Sequence, residues 1–260
     1  MCHPEVPEGQ VTPEVQRQEV QIPLSTGESL PALLCQPEGL TGPGVLIIND
    51  IMGRSPFYES LAARLATAGF HALLPEFFFR QGSLPERNFD LARERRGKLS
   101  DEQALSDLNA GINFLNQQPN VTGDKTGTIG FCMGGTFVLQ LAARRADLAS
   151  ACFYGFPAAA GSGPGAAPSP LSVASNISGP MIGFWGDQDT GVGMDNVEKL
   201  AQALSSRNVD FHHTIYEGLG HGFMAASQLD PNHDAYEKAC NAWTQTIDFF
   251  RQHLGVKVAA

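Results

Sequence analysis

The chain has little positive charge for its length. Its 260 residues include 17 Lys and Arg against 27 Asp and Glu, which gives a formal net charge of -10. The basic residues form no stripe along the sequence. Because binding to phosphate backbones or anionic lipids needs clustered cations, the composition argues against nucleic acid and against a charged membrane surface as partners. The acidic balance mainly promotes solubility, and the sequence does not indicate an oligomeric state.

Cysteines and long apolar runs are also scarce. The five cysteines are odd in number and include no CxxC pair: Cys2, Cys35, Cys132, Cys152 and Cys240. The cysteines therefore indicate neither a disulfide framework nor a zinc knuckle, and they favour a reducing compartment. The N-terminus has neither the basic lead nor the apolar core of a signal peptide, and no run approaches the 18 or so apolar residues of a membrane helix. We therefore predict a cytoplasmic protein.

Strand and helix patterns alternate along most of the chain. Val45–Ile48 is an apolar run typical of a strand buried on both faces, whereas Asp101–Asn116 has helical apolar spacing. The segments Val15–Ile22 and Leu30–Gln36 flank a turn and predict an antiparallel hairpin. The sequence thus predicts an α/β fold with a mainly parallel sheet, helices on both faces and an N-terminal hairpin. Active sites of such folds lie at the carboxyl ends of the strands.

Domain organisation follows from composition. Residues 1–14 are rich in Pro and Glu, so we expect a flexible tail followed by one domain over residues 15–260. The string AAAGSGPGAAPS at 158–169 predicts a flexible insertion over about 158–170. Because it follows a predicted strand, it is either a tolerated surface insertion or a mobile lid over the functional edge.

The most informative string is Thr128-Ile129-Gly130-Phe131-Cys132-Met133-Gly134-Gly135. It has small residues two positions either side of Cys132 and lies between an apolar strand and a helical segment. A sharp strand-to-helix turn would need those glycines, because side chains there would collide. The turn would place the sulfur at a helix N-terminus, which favours a thiolate, and would leave the Met133 N–H to donate to an oxyanion. The alternative is a buried structural cysteine with glycines packing helix on strand.

A candidate acid and a candidate base follow in order. Asp187 and Asp189 come directly after the predicted strand Met181–Trp185, and His221 stands in the glycine-rich string Gly218–Phe223. Nucleophile, acid and base in this order are typical of α/β-hydrolases. His221 would deprotonate Cys132 and the acid would orient the imidazole. We prefer Asp189 as that acid, with Asp187 as a loop-capping residue.

Other histidines do not predict a metal site. His212 and His213 are adjacent on a predicted strand and would point to opposite faces, so they cannot share a ligand.

Together these strings resemble the dienelactone hydrolase (carboxymethylenebutenolidase) family over roughly residues 15–254. The most specific element is Gly130–Gly135, supported by Gly186–Asp189 and Glu217–Phe223. The resemblance implies an α/β-hydrolase fold and a triad of Cys132, Asp189 and His221. It also implies hydrolysis of a small ester or lactone through a cysteine acyl-enzyme, with no cofactor and no metal.

The resemblance also gives roles to the string Asn49-Asp50-Ile51-Met52-Gly53. Family members have Glu where Asp50 stands, as an auxiliary acid that helps to form the thiolate, and the next N–H, here that of Ile51, is the second oxyanion donor. The alternative for Asp50 is an N-cap of the following helix.

Substrate binding departs further from the family. Dienelactone-active members hold a substrate carboxylate with two arginines. Arg80 matches the first, and Ala225 occupies the position of the second. We therefore expect Arg80 to contact substrate, with Phe78 lining an apolar acyl pocket; a plain surface arginine and core packing are the respective alternatives.

Two other functions remain open on the same residues. A cysteine acyl-enzyme could serve a thioesterase or an acyltransferase, and the fold could belong to a non-catalytic binding protein. A dinucleotide-binding fold is excluded, because GxxxGG in mid-chain is not the GxGxxG that follows a first strand.

Overall fold

The structure is a computed structural model that describes residues 14–161 and 165–255. The predicted tail falls almost entirely outside these residues. Eight strands form one sheet: β1 Gln16–Pro23, β2 Ser29–Gln36, β3 Gly44–Ile48, β4 His71–Pro75, β5 Thr126–Phe131, β6 Leu148–Phe153, β7 Met181–Gly186 and β8 Phe211–Tyr216. Their order is β1-β2-β4-β3-β5-β6-β7-β8. The pairs β1–β2 and β2–β4 are antiparallel and all others are parallel.

The described residues form seven α-helices, of which the first six lie between strands and the last follows β8: α1 Pro56–Thr67, α2 Phe89–Gly97, α3 Asp101–Asn116, α4 Met133–Ala142, α5 Pro170–Val173, α6 Met194–Ser205 and α7 Tyr236–Leu254. Two 3₁₀ segments, Ala174–Asn176 and Phe223–Gln228, complete the described elements. The predicted α/β-hydrolase fold, with its mainly parallel sheet and N-terminal hairpin, is confirmed. Among helices long enough to be tested in the described ranges, none is apolar enough to cross a membrane.

Two glycines of β5 show how helices cover both faces of the sheet. A Cβ on Gly127 would contact Phe250 and Leu254 of α7, whereas a Cβ on Gly130 would overlap Gly134 of α4. Since successive residues of a strand point to opposite faces, positions 127 and 130 belong to different faces. Helices α7 and α4 therefore pack on opposite sides of the central strand, which is buried along its whole length.

Helix α2 was not predicted from the sequence. It is strongly polar, with only Ala92 and Arg95 buried, so it lacks the apolar stripe of a core-facing helix. Its N-terminus is nevertheless well capped, because the Asn88 side chain accepts hydrogen bonds from the N–H groups of Asp90 and Leu91.

The small-residue segment after β6 is bonded to its surroundings in its described parts. Gly161 N–H donates to Ala167 O at 2.8 Å, which closes the loop on itself. Two buried side chains hold it: Asp101 accepts from Ala167 N–H at 3.3 Å, and Gln140 donates to Pro168 O at 2.9 Å. The segment then enters α5 with Ser169 as N-cap. Its predicted flexibility remains a prediction, but the last two bonds attach Ala167 and Pro168 to helices α3 and α4.

Candidate active site

Cys132 lies at a sharp turn between β5 and α4. Its backbone has φ 57° and ψ -120°, a conformation that costs a non-glycine residue energy and is concentrated at functional sites. A Cβ on Gly130 would overlap the Gly134 carbonyl, and one on Gly134 would overlap the carbonyls of Ile48 and Asn49. The two glycines are therefore required for the close approach of strand, turn and helix, as the spacing predicted.

The helix that follows the turn determines which backbone donors face the sulfur. Met133 is the first residue of α4, so its N–H has no acceptor within the helix. Cys132 N–H donates to Phe153 O at 3.0 Å, which ties the turn to the end of β6. A helix N-terminus with an unused N–H is suited to an anion that develops next to Cys132.

His221 and Asp189 form a short hydrogen bond across two loops at the carboxyl ends of β7 and β8. Nδ1 of His221 lies 2.6 Å from Oδ2 of Asp189, and the Asp189 side chain is 3% exposed. Asp189 is held in turn by Val192 N–H, which donates to Oδ1 at 3.3 Å. Because a carboxylate oxygen accepts hydrogen bonds, Nδ1 is the donor of this bond, and Nε2 is left as the second ring nitrogen.

Asp187, the competing acid, has another contact. It is exposed, and its Oδ1 accepts from Gly218 N–H at 2.7 Å and from Gln188 Nε2 at 3.1 Å. It thus joins the β7 and β8 loops without contacting His221, and Asp189 is the better candidate for the acid.

Two aromatic residues contact the imidazole and were missed at the sequence level. The ring of Tyr154 packs edge-on against His221 with centroids 4.9 Å apart, and the ring of Phe156 lies at 5.2 Å. Tyr154 has a positive φ of 39° and directly follows β6. The sequence could have indicated Tyr154 through its position directly after a buried parallel strand, because the carboxyl ends of such strands carry the other site residues.

Cys132, Asp189 and His221 line one pocket of about 590 Å³. Met133 and Ile51, the two predicted oxyanion donors, line it as well. The remaining lining residues come chiefly from α2, α3, α4 and the segment after β6: Phe89, Arg93, Arg96, Asp101, Thr136, Phe137, Gln140, Phe156, Ala159, Ala160, Gly161, Gln188, Thr190 and Gly191. The pocket is large enough for a small organic substrate beside the sulfur.

Asp50 lies in the loop between β3 and α1 and is completely buried. It does not cap a helix: the N-cap of α1 is Ser55, and Asp50 Oδ1 accepts from Met52 N–H at 2.8 Å within the loop. The alternative of an N-cap for Asp50 is therefore wrong. The neighbouring Tyr58 is fully buried, and burial, followed by the charge of Asp50, holds the pKa of its phenol well above the usual value.

Arg80 does not line this pocket. Its guanidinium forms ion pairs with Asp107 at 2.5 Å and Glu28 at 2.7 Å, and it stacks on Phe79. The Asp107 side chain is 2% exposed, so Arg80 neutralises a buried carboxylate. The structure therefore corrects the expectation that Arg80 contacts substrate here, because its hydrogen-bonding groups are already used by the two acids.

Phe78 also lies outside the Cys132 pocket. It is buried, packs on Phe77 and carries the Arg95 guanidinium 4.0 Å above its ring. It borders a separate depression of about 360 Å³, on the side of Met52 and Gly53. Core packing, the alternative for Phe78, is what the structure shows.

One face of α2 supplies the cationic residues of the pocket. Phe89, Arg93 and Arg96 follow the i, i+4, i+7 spacing of a helix face, and all three line the pocket. Arg93 stacks on Phe89 at 4.8 Å, and Arg96 pairs with the buried Asp101 at 2.6 Å. The i, i+4, i+7 spacing of these residues was visible in the sequence. Because no helix was predicted there, it did not indicate that the three side chains share one face.

Two of the other described cysteines differ from Cys132 in their burial and surroundings. Cys35 and Cys152 are completely buried, and burial raises the pKa of Cys35 to about 11 and that of Cys152 to about 12. Neither lines the pocket that Cys132 shares with His221. Within residues 14–161 and 165–255 no group of three or more His, Cys, Asp or Glu side chains could hold a metal ion.

Comparisons with known proteins agree with this geometry. The sequence model of the dienelactone hydrolase family matches residues 30–254. A carboxymethylenebutenolidase from Rhodococcus opacus is 31% identical over 230 residues, which are 88% of this chain and 88% of that protein. A crystal structure of a candidate dienelactone hydrolase from Klebsiella pneumoniae subsp. pneumoniae is 27% identical, with a TM-score of 0.82, and covers 92% of this chain and 99% of that one. A dienelactone hydrolase-like promiscuous phosphotriesterase from metagenomic libraries, 22% identical over 93% of this chain and 99% of that one, shares the fold with a TM-score of 0.72.

Proposed function

The chain belongs to the dienelactone hydrolase family, and we propose that it hydrolyses a small carboxylic ester or lactone through an acyl-enzyme on Cys132. Family membership makes it a hydrolase with a small-molecule substrate. The observation that carries the finer proposal is the His221–Asp189 bond of 2.6 Å beside Cys132 in one pocket. A nucleophile at a strained turn next to an imidazole held in one tautomer is the arrangement that covalent acyl transfer requires.

The reaction proceeds in two halves. His221 Nε2 takes the proton of Cys132, the sulfur attacks the substrate carbonyl carbon, and the negative charge moves to the carbonyl oxygen. The N–H groups of Met133 and Ile51 bind this oxyanion. The intermediate then collapses to a thioester, and His221 returns the proton to the leaving alkoxide.

Deacylation repeats the steps with water. His221 takes a proton from a water molecule while the water oxygen attacks the thioester carbon. The N–H groups of Met133 and Ile51 bind the second oxyanion. Collapse releases the carboxylic acid, and the sulfur recovers its proton from His221. Asp189 stabilises the imidazolium that forms in both halves.

The substrate class follows from the pocket rather than from the family's arginine pair. The Arg80 side chain is engaged elsewhere, and position 225 is Ala, so neither family position supplies a guanidinium. The pocket instead combines apolar walls with Arg93 and Arg96 from α2. We therefore propose a small ester or lactone with an apolar part beside the sulfur.

The test is turnover of a panel by wild type, Cys132→Ala and Cys132→Ser. The panel contains p-nitrophenyl esters, small lactones, dienelactone and matched thioesters. We expect ester or lactone turnover that both variants lose while their circular dichroism spectra and melting temperatures stay close to wild type. Mass spectrometry of the quenched wild-type reaction should find the acyl group on the peptide that contains Cys132.

Other outcomes would support the rival functions. Faster turnover of thioesters than of matched oxygen esters would favour a thioesterase. Acyl transfer to an added alcohol or amine in excess of hydrolysis would favour an acyltransferase. Equal turnover by wild type and Cys132→Ala would refute the cysteine acyl-enzyme.

A further inference from the structure

The loop that carries the Ile51 N–H is held by hydrogen bonds with three side chains outside the proposed triad: Asn49, Tyr58 and Arg95. It comprises Asn49 to Gly53, directly after β3. The N–H of Ile51 belongs to the peptide between Asp50 and Ile51, so the plane of that peptide decides where the N–H points. Five hydrogen bonds fix this peptide and its two neighbours.

The carbonyl of the central peptide has two donors. Asp50 O accepts from Asn49 Nδ2 at 2.9 Å and from Gly53 N–H at 3.1 Å. In a trans peptide the N–H points away from the carbonyl, so fixing the carbonyl of Asp50 also fixes the N–H of Ile51. Asn49 is 1% exposed, and its amide has no access to bulk water.

The preceding peptide is held by a tyrosine of α1. Asp50 N–H donates to the Tyr58 hydroxyl oxygen at 3.1 Å. Tyr58 is completely buried, and its ring packs against those of Phe57 and Phe131. The oxygen that accepts this hydrogen bond is thus held in place by a rigid aromatic cluster.

The following peptide is held at both ends. Arg95 Nη2 donates to Ile51 O at 2.9 Å, while Met52 N–H donates to Asp50 Oδ1 at 2.8 Å. Arg95 comes from α2, is 8% exposed, stacks on Phe78 and also donates to Gly82 O at 3.2 Å. Its planar guanidinium therefore reaches two carbonyls of different loops at once, which an ammonium group cannot do in the same geometry.

Among the backbone N–H and C=O groups of Asp50 and Ile51, these bonds leave one for the pocket. Asp50 N–H, Asp50 O, Ile51 O and Met52 N–H all have partners, whereas within the described residues Ile51 N–H has no acceptor, and Ile51 lines the Cys132 pocket. An N–H that borders a pocket and has no acceptor among the described residues is available to a ligand or a transition state.

We infer that Asn49, Tyr58 and Arg95 are positioning residues that form a loop clamp, which holds the Ile51 N–H towards the oxyanion formed at Cys132. The inference rests on the proposed function, since the clamp acts only on a step in which a carbonyl oxygen becomes negative. Arg95 has a second contribution, because it places a buried positive charge near Asp50. Preorganised donors stabilise a transition state without reorganisation, so a loop free to rotate its peptides would lose this benefit.

The test compares two reactions of the same sulfur. Acylation by p-nitrophenyl acetate passes through an oxyanion, whereas alkylation by iodoacetamide displaces iodide and forms none. In Arg95→Lys, which keeps the charge but loses the planar fork, we expect the acylation burst of Cys132 to slow by roughly tenfold or more, as for a donor misplaced by about 1 Å. We expect the alkylation rate of Cys132, followed by peptide mass spectrometry, to stay within about twofold, because nucleophile and base are untouched.

Two further variants make the result decisive. Tyr58→Phe removes only the hydroxyl that accepts from Asp50 N–H. It should also slow acylation of Cys132 while leaving the alkylation rate nearly unchanged, so it tests the clamp if Arg95→Lys does not fold. Lys98→Met removes an exposed cation just after α2, whose pair is with Glu94, and should leave both rates unchanged.

The outcomes separate the clamp from the proposed function. Folded Arg95→Lys and Tyr58→Phe that acylate at the wild-type rate would overturn the clamp and leave the acyl-enzyme standing. Acylation and alkylation that fall in parallel would also overturn it, because they would indicate a general structural role. A wild-type protein without a burst that depends on Cys132 would remove the proposed function, and the clamp with it.

Discussion

His221 Nδ1 and Asp189 Oδ2 lie 2.6 Å apart, although 32 residues and strand β8 separate them in sequence. The bond is possible because β7 and β8 are parallel neighbours whose carboxyl ends meet at one edge of the sheet. It selects the imidazole tautomer with its basic nitrogen directed away from the acid.

Asp189→Asn should lower kcat by roughly 10³- to 10⁴-fold, because an amide that donates to Nδ1 would stabilise the wrong tautomer. Asp187→Asn is the matched control, two residues earlier in the same loop. Its carboxylate joins Gly218 and Gln188 without contacting His221, so kcat should change little. Steady-state kinetics on one ester measures both kcat values. A larger loss of kcat in Asp187→Asn than in Asp189→Asn would make Asp187 the acid that orients His221.

The Cys132 turn could be predicted from the sequence because its cause is local. Glycines two residues before and two after Cys132 are needed because strand, sharp turn and helix approach closely here, and a Cβ at Gly130 or Gly134 would overlap backbone atoms. The order of Cys132, Asp189 and His221 was equally visible, since parallel strands bring their carboxyl ends to one edge.

The surroundings of the site depend on contacts that sequence patterns do not encode. The Arg80 side chain forms ion pairs with Asp107 and Glu28, which lie 27 and 52 residues away in sequence. The string around Arg80 therefore resembles a substrate-binding motif, although its side chain pairs with acids of the fold. Helix α2 lacks an apolar stripe, so its residues Arg93, Arg95 and Arg96 could not be assigned to the pocket or to the loop.

Arg80→Ala should therefore change stability more than activity. It leaves the buried Asp107 carboxylate without its ion pair, and breaking such a pair from one side costs about 3–5 kcal/mol. Arg144→Ala, which breaks an exposed pair with Glu102, should cost at most about 1 kcal/mol. Urea unfolding measures both changes. An Arg80 variant of wild-type stability with a raised KM would restore Arg80 as a substrate ligand.

The buried cysteines Cys35 and Cys152 should be distinguishable from Cys132 by alkylation. Because burial raises the pKa of Cys35 to about 11 and that of Cys152 to about 12, their thiolate fractions at pH 7.5 are on the order of 10⁻³ or below. Iodoacetamide at this pH should leave both unmodified in the folded protein and modify both in urea. Loss of turnover should follow modification of Cys132.

Cys240 is the control for that experiment, because it is only half-buried and can compete for the reagent. Cys240→Ser should be inactivated at the wild-type rate, since Cys240 lies on α7 and does not line the Cys132 pocket. A variant that resists inactivation would assign the reactive thiol to Cys240 instead.

The charge of the pocket predicts a preference among substrates. Two arginines line it, and its two carboxylates are both paired, Asp101 with Arg96 and Asp189 with His221. Arg93 is exposed and has an aromatic neighbour, Phe89, so its positive charge is available to a ligand at the pocket mouth. An ester with a carboxylate at the far end of its acyl chain should thus be preferred to a neutral ester of the same shape.

A matched pair of esters measures this preference. The p-nitrophenyl monoester of succinate carries the carboxylate, and the 4-methylpentanoate ester replaces it with an isopropyl group. Arg93→Met should reduce the ratio of their kcat/KM values by up to about fivefold, since an exposed ion pair contributes up to about 1 kcal/mol. Arg93→Lys should retain part of the preference. The wild-type ratio should also fall with added salt, because the Debye length shortens to about 3 Å at 1 M. A ratio that is insensitive both to Arg93→Met and to salt would mean that the pocket selects its substrates by shape and apolar contact, with the arginines of α2 serving only to hold the helix in place.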